Sequence, residues 1–251
     1  MDRDYVKETV LLDFSSAPLQ ELMTSRAWFD LNSFERIGAA YDFVRDEIKF
    51  GYNRSDNISA SAVLADGYGQ CNTKGTLLMA LLRGLGIPCR LHGFTIHKDL
   101  QRGVVPELAY ALAPESILHS WIEIWHDGRW INLEGFILDR PFLQALQNRF
   151  GRDDESLCGY GAGTDCLSAP QVDWTGEDTY IQRTGINADL GLFDTPDEFY
   201  ALHQQKFGWL RGLIYRHIVR HCMNARVKRI RSGNIPELPK AAKSHGHASS
   251  I

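Results

Sequence analysis

Two stretches decide the fold: GYGQCNTKGTLLMALLRGLGIPCRLHGF, residues 67–94, and HSWIEIWHDGRWINLEG, residues 119–135. The first reads as a turn, a helix and a strand. Cys71 follows Gly67-Tyr68-Gly69-Gln70, and the Leu-rich run after it ends at Gly84 and Gly86, where glycine serves as a helix stop. That run is apolar nearly all round, which predicts a buried central helix. PCRLHGFTI then predicts a strand. The second stretch alternates on both sides of Asp127-Gly128, a strong hairpin signal.

Outward from these, SFERIGAAYDFVRDEIKF predicts a helix, capped by Asn32 with Glu35 three residues on. Helix, buried helix and antiparallel strands make an α+β domain over 33–150, with residues 1–32 as an N-terminal extension. Asp139, Arg140 and Pro141 open a further helix. Residues 151–194 are Gly-rich and predicted irregular; the window 151–200 holds eleven acids and two bases. Thr195-Pro196-Asp197-Glu198 is a capping box, from which helix is predicted through DEFYALHQQKF. A kink at Gly208 then leads into WLRGLIYRHIVRHCMNARVKRIR, so that C-terminal helices occupy 195–231. Residues 209–231 hold seven bases and no acid. Residues 232–251 read as a disordered tail.

The 251 residues carry a net charge of −4 and 44% hydrophobic residues, ordinary globular values. Near-neutral charge argues against nucleic acid as a partner. Five cysteines are too sparse for a disulfide scaffold. The acidic start lacks a signal-peptide pattern, and no window is apolar enough to span a membrane. The cytoplasm is the expected compartment.

Three residues carry the candidate chemistry. A thiol at a helix N-terminus feels the positive end of the dipole, which favours reactive thiolate; Cys71 is so placed. His119 sits on a strand, fixed as a general base should be, with Trp121 and Glu123 on its face. Glu134, on the partner strand, can set the imidazole tautomer and stabilise imidazolium; Asn132 shares its face and competes for that role. Cys158 and Cys166 fit no common zinc spacing, and YGAGTDC lacks the strand, helix and Lys of a phosphate loop.

Helix-borne Cys, strand-borne His and an acid on the next strand resemble the core of the transglutaminase-like superfamily, a papain-like thiol group. Cys71, Arg83 through Pro88, His119, Trp121, Glu123, Trp130 and position 134 match its order and approximate spacing, over about residues 33–136. Tyr68-Gly69-Gln70-Cys71 resembles the active-site run of the animal transglutaminases. One departure stands out: the family's third member is usually Asp, and here it is Glu134. The extra methylene shifts the carboxylate by about 1.5 Å, one carbon–carbon bond. Either the backbone absorbs that, or Asn132 or Asp139 serves instead.

The resemblance implies a cysteine protease, amidase or acyltransferase with a Cys71–His119–Glu134 triad. Its substrate would be a peptide, protein or small amide or thioester. A thioester acyl-enzyme would be released by water or an amine, with hydrolysis favoured. The Cys71 backbone N–H is an expected oxyanion donor, with Gln70 or Tyr52 as the second, and Trp121 and Asn132 as support. No cofactor or metal is expected; animal members use calcium, but no EF-hand loop is present. Two other readings remain: a non-catalytic interaction module that keeps the fold, and a membrane-peripheral scaffold working through the basic C-terminal helix.

Overall fold

A computed structural model describes residues 3–151, 156–204 and 209–237. Its elements in chain order begin with α1 (Ala17–Ser25), α2 (Ser33–Asp46), β1 (Lys49–Phe50), α3 (Ala60–Asp66), β2 (Tyr68–Gly69) and α4 (Cys71–Gly84). Next come β3 (Cys89–His97), α5 (Glu107–Ala111), β4 (Ser116–His126), β5 (Arg129–Leu133) and α6 (Arg140–Phe150). The rest are β6 (Leu157–Gly159), β7 (Ala162–Thr164), β8 (Ile186–Phe193), α7 (Pro196–Leu202), α8 (Trp209–Ile214) and α9 (Arg220–Arg231).

The main sheet runs β5-β4-β3-β8, antiparallel throughout. Helix α4 packs against it; thirteen of its residues are buried. Ile122 of β4 comes so close to Gly75 that a Cβ there would sit 3.3 Å from it. Five of the helix's buried residues are polar, and each needs a partner; Arg83 donates to the Lys7 and Cys89 carbonyls at 2.7 and 2.9 Å. Lys74 finds the carbonyls of Arg45 and Ile137 at 3.1 and 2.9 Å, and Thr73 donates to Asn53 at 2.6 Å. Thr76 donates to Asn72 O, and Asn72 to Leu118 O.

The local signals act as their chemistry dictates. Asn32 and Glu35 form a reciprocal capping box at α2. Asp127 and Gly128 both take positive φ, 49° and 80°, as a two-residue hairpin turn matched to strand twist requires. Asp139 caps α6 and Thr195 caps α7 through their side chains.

The trailing half differs from expectation. The segment read as irregular supplies β8, the edge strand beside β3, and residues 178–182 run alongside β5, with a parallel bridge between Leu133 and Thr179. Helix α7 ends at Leu202; Gln205 to Gly208, and with them the expected kink, lie outside the described residues. The start of the presumed tail packs back: Ile235 lies against the core and Tyr160 donates to the Pro236 carbonyl. Residues 238–251 lie outside the described residues. The N-terminal extension joins the core through Leu12, Leu19 and Met23.

The C-terminal helix folds back through Met223, Val227 and Ile230, all buried. The charge pattern of the sequence predicts that its bases pair with the acidic 151–200 stretch. The ion pair that anchors it is instead Arg231 with Asp139, at 2.6 Å, and Arg226 caps the Val105 carbonyl. Among the described residues no helix is long and apolar enough to cross a membrane.

Candidate active site

Cys71 is the first residue of α4. Its approach is built by two glycines. Gly67 closes α3 at φ 68°, a conformation costly for other residues. A Cβ at Gly69 would lie 2.7 Å from Thr73 Oγ1 and 2.9 Å from Lys74 Cγ, so only glycine lets the chain pass this close to the helix it is about to enter. Gln70 is the N-cap: its backbone N–H donates to Thr73 Oγ1. Its side-chain oxygen accepts from the Asn53 N–H, and its Nε2 donates to Asp56 at 2.7 Å. Cys71 therefore starts the helix with its own N–H free of intrahelical bonding.

His119 is fully buried on β4. Its Nε2 lies 2.7 Å from Glu134 Oε1; a carboxylate only accepts, so Nε2 carries the proton. Nδ1 makes no hydrogen bond of ordinary geometry, which leaves it as the nitrogen available to Cys71. Burial opposes charge on the imidazole, but the Cys71 sulfur and then Glu134 outweigh it and carry the ring up to about 10. Cys71, His119 and Glu134, spread over 64 positions of sequence, are thus brought together.

The Asp-to-Glu departure has a structural answer. Glu134 is fully buried and its second oxygen, Oε2, accepts the backbone N–H groups of Ile181 and Gln182 at 2.9 and 3.0 Å. The Glu134 and Gly135 amides donate to Thr179 Oγ1. The longer side chain is therefore clamped from beyond by the strand-like run 178–182. Asn132 does not compete: its amide is held by Asp178 and Tyr180 at 3.0 and 2.9 Å. Asp139 is elsewhere too, capping α6 and binding Arg231 and the Phe50 N–H.

Trp121 packs on Phe94 at 4.1 Å between ring centres and edge-on to Tyr180 at 5.6 Å, a wall beside His119. Glu123, next on that face, holds Arg90 and His92 at 2.6 and 2.8 Å. Tyr52 lines the Cys71 cavity, but its hydroxyl already donates to Gln101.

Three neighbours of Cys71 were not singled out by sequence. Asp56 is raised above the usual carboxylate range by burial, against the pull of Gln70 and Asn72. Tyr200, from α7, has a buried hydroxyl without a hydrogen bond of ordinary geometry; burial, then Asp56 and Cys71, push it far up. Asn72 accepts from Ser120 at 3.0 Å, tying the start of α4 to the residue after His119. None sits at a spacing that marks it; contact alone identifies them. Among the described residues no group of three or more His, Cys, Asp or Glu is placed to hold a metal.

Residues 25–135 match the sequence profile of the transglutaminase-like superfamily. No curated protein matches the chain in sequence. A solved structure of a candidate cysteine protease from Cytophaga hutchinsonii is similar at a TM-score of 0.45 and 14% identity, covering 79% of this chain. The chain spans about half the length of that protein, 50%, and the likeness is too loose to carry a functional argument. From the end of α1 to Gly135, the stretch that carries Cys71, His119 and Glu134 is thus similar to the transglutaminase-like superfamily.

Proposed function

We propose that the protein is a thiol-dependent acyl-transfer enzyme. Cys71 is the nucleophile, His119 the base that takes its proton at Nδ1, and Glu134 the group that holds Nε2–H and stabilises imidazolium. The observation that carries the reading is the buried His119 ring, tied to Glu134 on one nitrogen and coupled to Cys71 on the other side.

The sulfur adds to an amide or thioester carbonyl. The Cys71 N–H is the donor to the developing oxyanion, and the Gln70 Nε2 proton not given to Asp56 is the candidate for the second. Collapse expels an amine or thiol, which leaves with the proton from His119, and the acyl group stays on Cys71 as a thioester. Water, ahead of amines, then attacks that thioester. The superfamily match supports cysteine chemistry at this position. The clamp on Glu134 supports the triad over a non-catalytic module. A purely membrane-peripheral role loses ground because part of the helix's apolar stripe is spent on the core.

The test is direct: an activated acyl donor is mixed with the protein and intact mass is followed. A covalent acyl adduct on Cys71 that turns over, and that is lost in Cys71→Ala, supports the reading. No adduct at Cys71 from any activated ester or thioester would contradict it.

A further inference from the structure

The Cys71 thiol opens into a cavity of about 800 Å³, in the size range of small-molecule sites. Its two ends differ in chemistry. Gln70, Asp56 and Asn72 lie beside the thiol, whereas Val105, Leu112, Ile117, Val219 and Met223 make much of the remaining wall. Arg54 and Arg216, also at the cavity, are solvent-exposed and mark its rim.

Two further observations point to an occupant for the apolar part. Leu112, Leu213 and Ile214 are large apolar side chains left 63%, 42% and 43% exposed, and all three line this cavity. Apolar surface gathered at the mouth of a site with a nucleophile marks a place where something apolar docks. The helix that supplies the far wall is also irregular there: Tyr215–Val219 form a π turn, a feature concentrated at functional sites, and Tyr215, Arg216 and Val219 from it line the cavity. This wall lies wholly outside residues 25–135, so it belongs to this chain's own elaboration of the domain.

We infer that the cavity receives the acyl half of an amide or thioester whose body is a bulky apolar group, and that the helix over residues 212–223 sets that preference. The inference rests on the acyl-transfer reading. In the reaction His119, held as imidazolium by Glu134, already carries the proton given up by Cys71, and the Cys71 sulfur forms the new C–S bond. The donor's C–N or C–S bond breaks, and the departing amine or thiol takes the proton from His119. The apolar acyl body stays between the 105–118 wall and the π turn. A charged acyl body would lose its hydration against those apolar walls, since Arg54 and Arg216 stand only at the rim.

The test uses the full chain and the 4-nitrophenyl esters of acetic and hexanoic acids, with Cys71 acylation followed by peptide mass mapping. The ester C–O bond breaks and 4-nitrophenolate leaves, so leaving group and chemistry are constant while the acyl body changes. Each buried methylene is worth about fourfold; with an open rim, the expectation is a hexanoyl-to-acetyl rate ratio of at least about tenfold. Ile214→Asp and Leu112→Asp, at exposed rim positions, should each bring the ratio towards one. Val10→Asp, an exposed apolar residue away from the cavity, should leave it as it was. Melting temperatures report whether each variant folds. Selective acylation of Cys71 with a ratio near one, or rim variants that keep the tenfold preference, would overturn this inference alone. No selective acylation of Cys71 by either ester would overturn it together with the acyl-transfer reading.

Discussion

Cys71 and His119 reach the site from a regular helix and a regular strand, each inside the part of the chain that matches the superfamily. The groups that finish the site come from elsewhere: the Ile181 and Gln182 amides behind Glu134, Tyr200 beside the thiol, and the 212–223 wall across the cavity. In the proposed reaction the first region supplies the reacting atoms; the second supplies constraint and shape. The contrast teaches that a candidate nucleophile and base can be specified by a short motif, while the placement of Glu134 depends on chain more than 40 positions downstream. It also shows how a Glu stands where Asp is usual: the backbone that receives its far oxygen is positioned for the longer side chain.

That division can be broken by mutation. Cys71→Ala and His119→Ala should each lower turnover of an activated acyl donor by at least about 10³-fold, since residues acting as one unit fail together. Loss of similar size from substitutions in the trailing region would erase the distinction. Glu134→Gln should follow at about 10²-fold, because the neutral amide no longer stabilises imidazolium. Glu134→Asp should lose roughly as much, since the shorter arm cannot span His119 and the 181–182 amides at once and ~1 Å matters at this point. Asn132→Ala should stay within about threefold; a reversed ranking would transfer the orienting role to Asn132.

The trailing region should answer in stability first. Thr179→Val removes the hydroxyl oxygen that accepts from the Glu134 and Gly135 amides. The Glu134 amide keeps the Thr179 carbonyl at 3.0 Å, but the Gly135 amide loses its acceptor; leaving a buried donor unpaired costs about 1–3 kcal/mol, or a melting temperature lower by a few degrees in a chain this long. Scanning calorimetry checks it. An unchanged melting temperature would mean that the 178–182 run is not the clamp described.

Two pH effects on folding stability are opposite in sign, so that little of either shows in the native chain. His119 rises in the fold from 6.5 to about 10. Its contribution is therefore complete below the unfolded value and is lost as pH climbs through that window. Lys74, pushed by burial from 10.5 down to about 7, does the reverse: the unfolded chain binds the extra proton between those values, so stability rises with pH. The two offset each other in the native chain. His119→Gln removes one of them, so urea-unfolding stability should rise between pH 7 and 9.5 more steeply than in the native protein. A flatter or falling profile in the variant would contradict the assignment.

Much of the first region was legible because its signals are local. Asn32 with Glu35, Asp127-Gly128, and the Gly-flanked Cys71 each act through neighbours a few residues away, and the period of β4 fixes which side His119 takes. Strand β8 was hidden because INADLGLF lies at a sheet edge with no fully buried residue, so it shows no alternation. The clamp on Glu134 was hidden for a different reason: backbone amides make it, and every non-proline residue has one. The stripe Met223, Val227 and Ile230 was legible as a buried face. That Leu213 and Ile214, on the same stripe, border a cavity was not, because periodicity tells which residues share a face but not what the face meets.

In the proposed enzyme, His119 and Glu134 activate a largely buried thiol. Limited alkylation of the folded chain at pH 7, mapped by peptide mass, measures this against the protein's own internal controls. Cys71 is only 8% exposed, while Cys158 and Cys222 are exposed to solvent. Accessibility alone therefore ranks Cys71 below both. The prediction is that Cys71 reacts fastest of the five cysteines and that His119→Ala slows it at least about tenfold without changing Cys222. Cys71 reacting no faster than Cys222, with or without His119, would contradict the central claim.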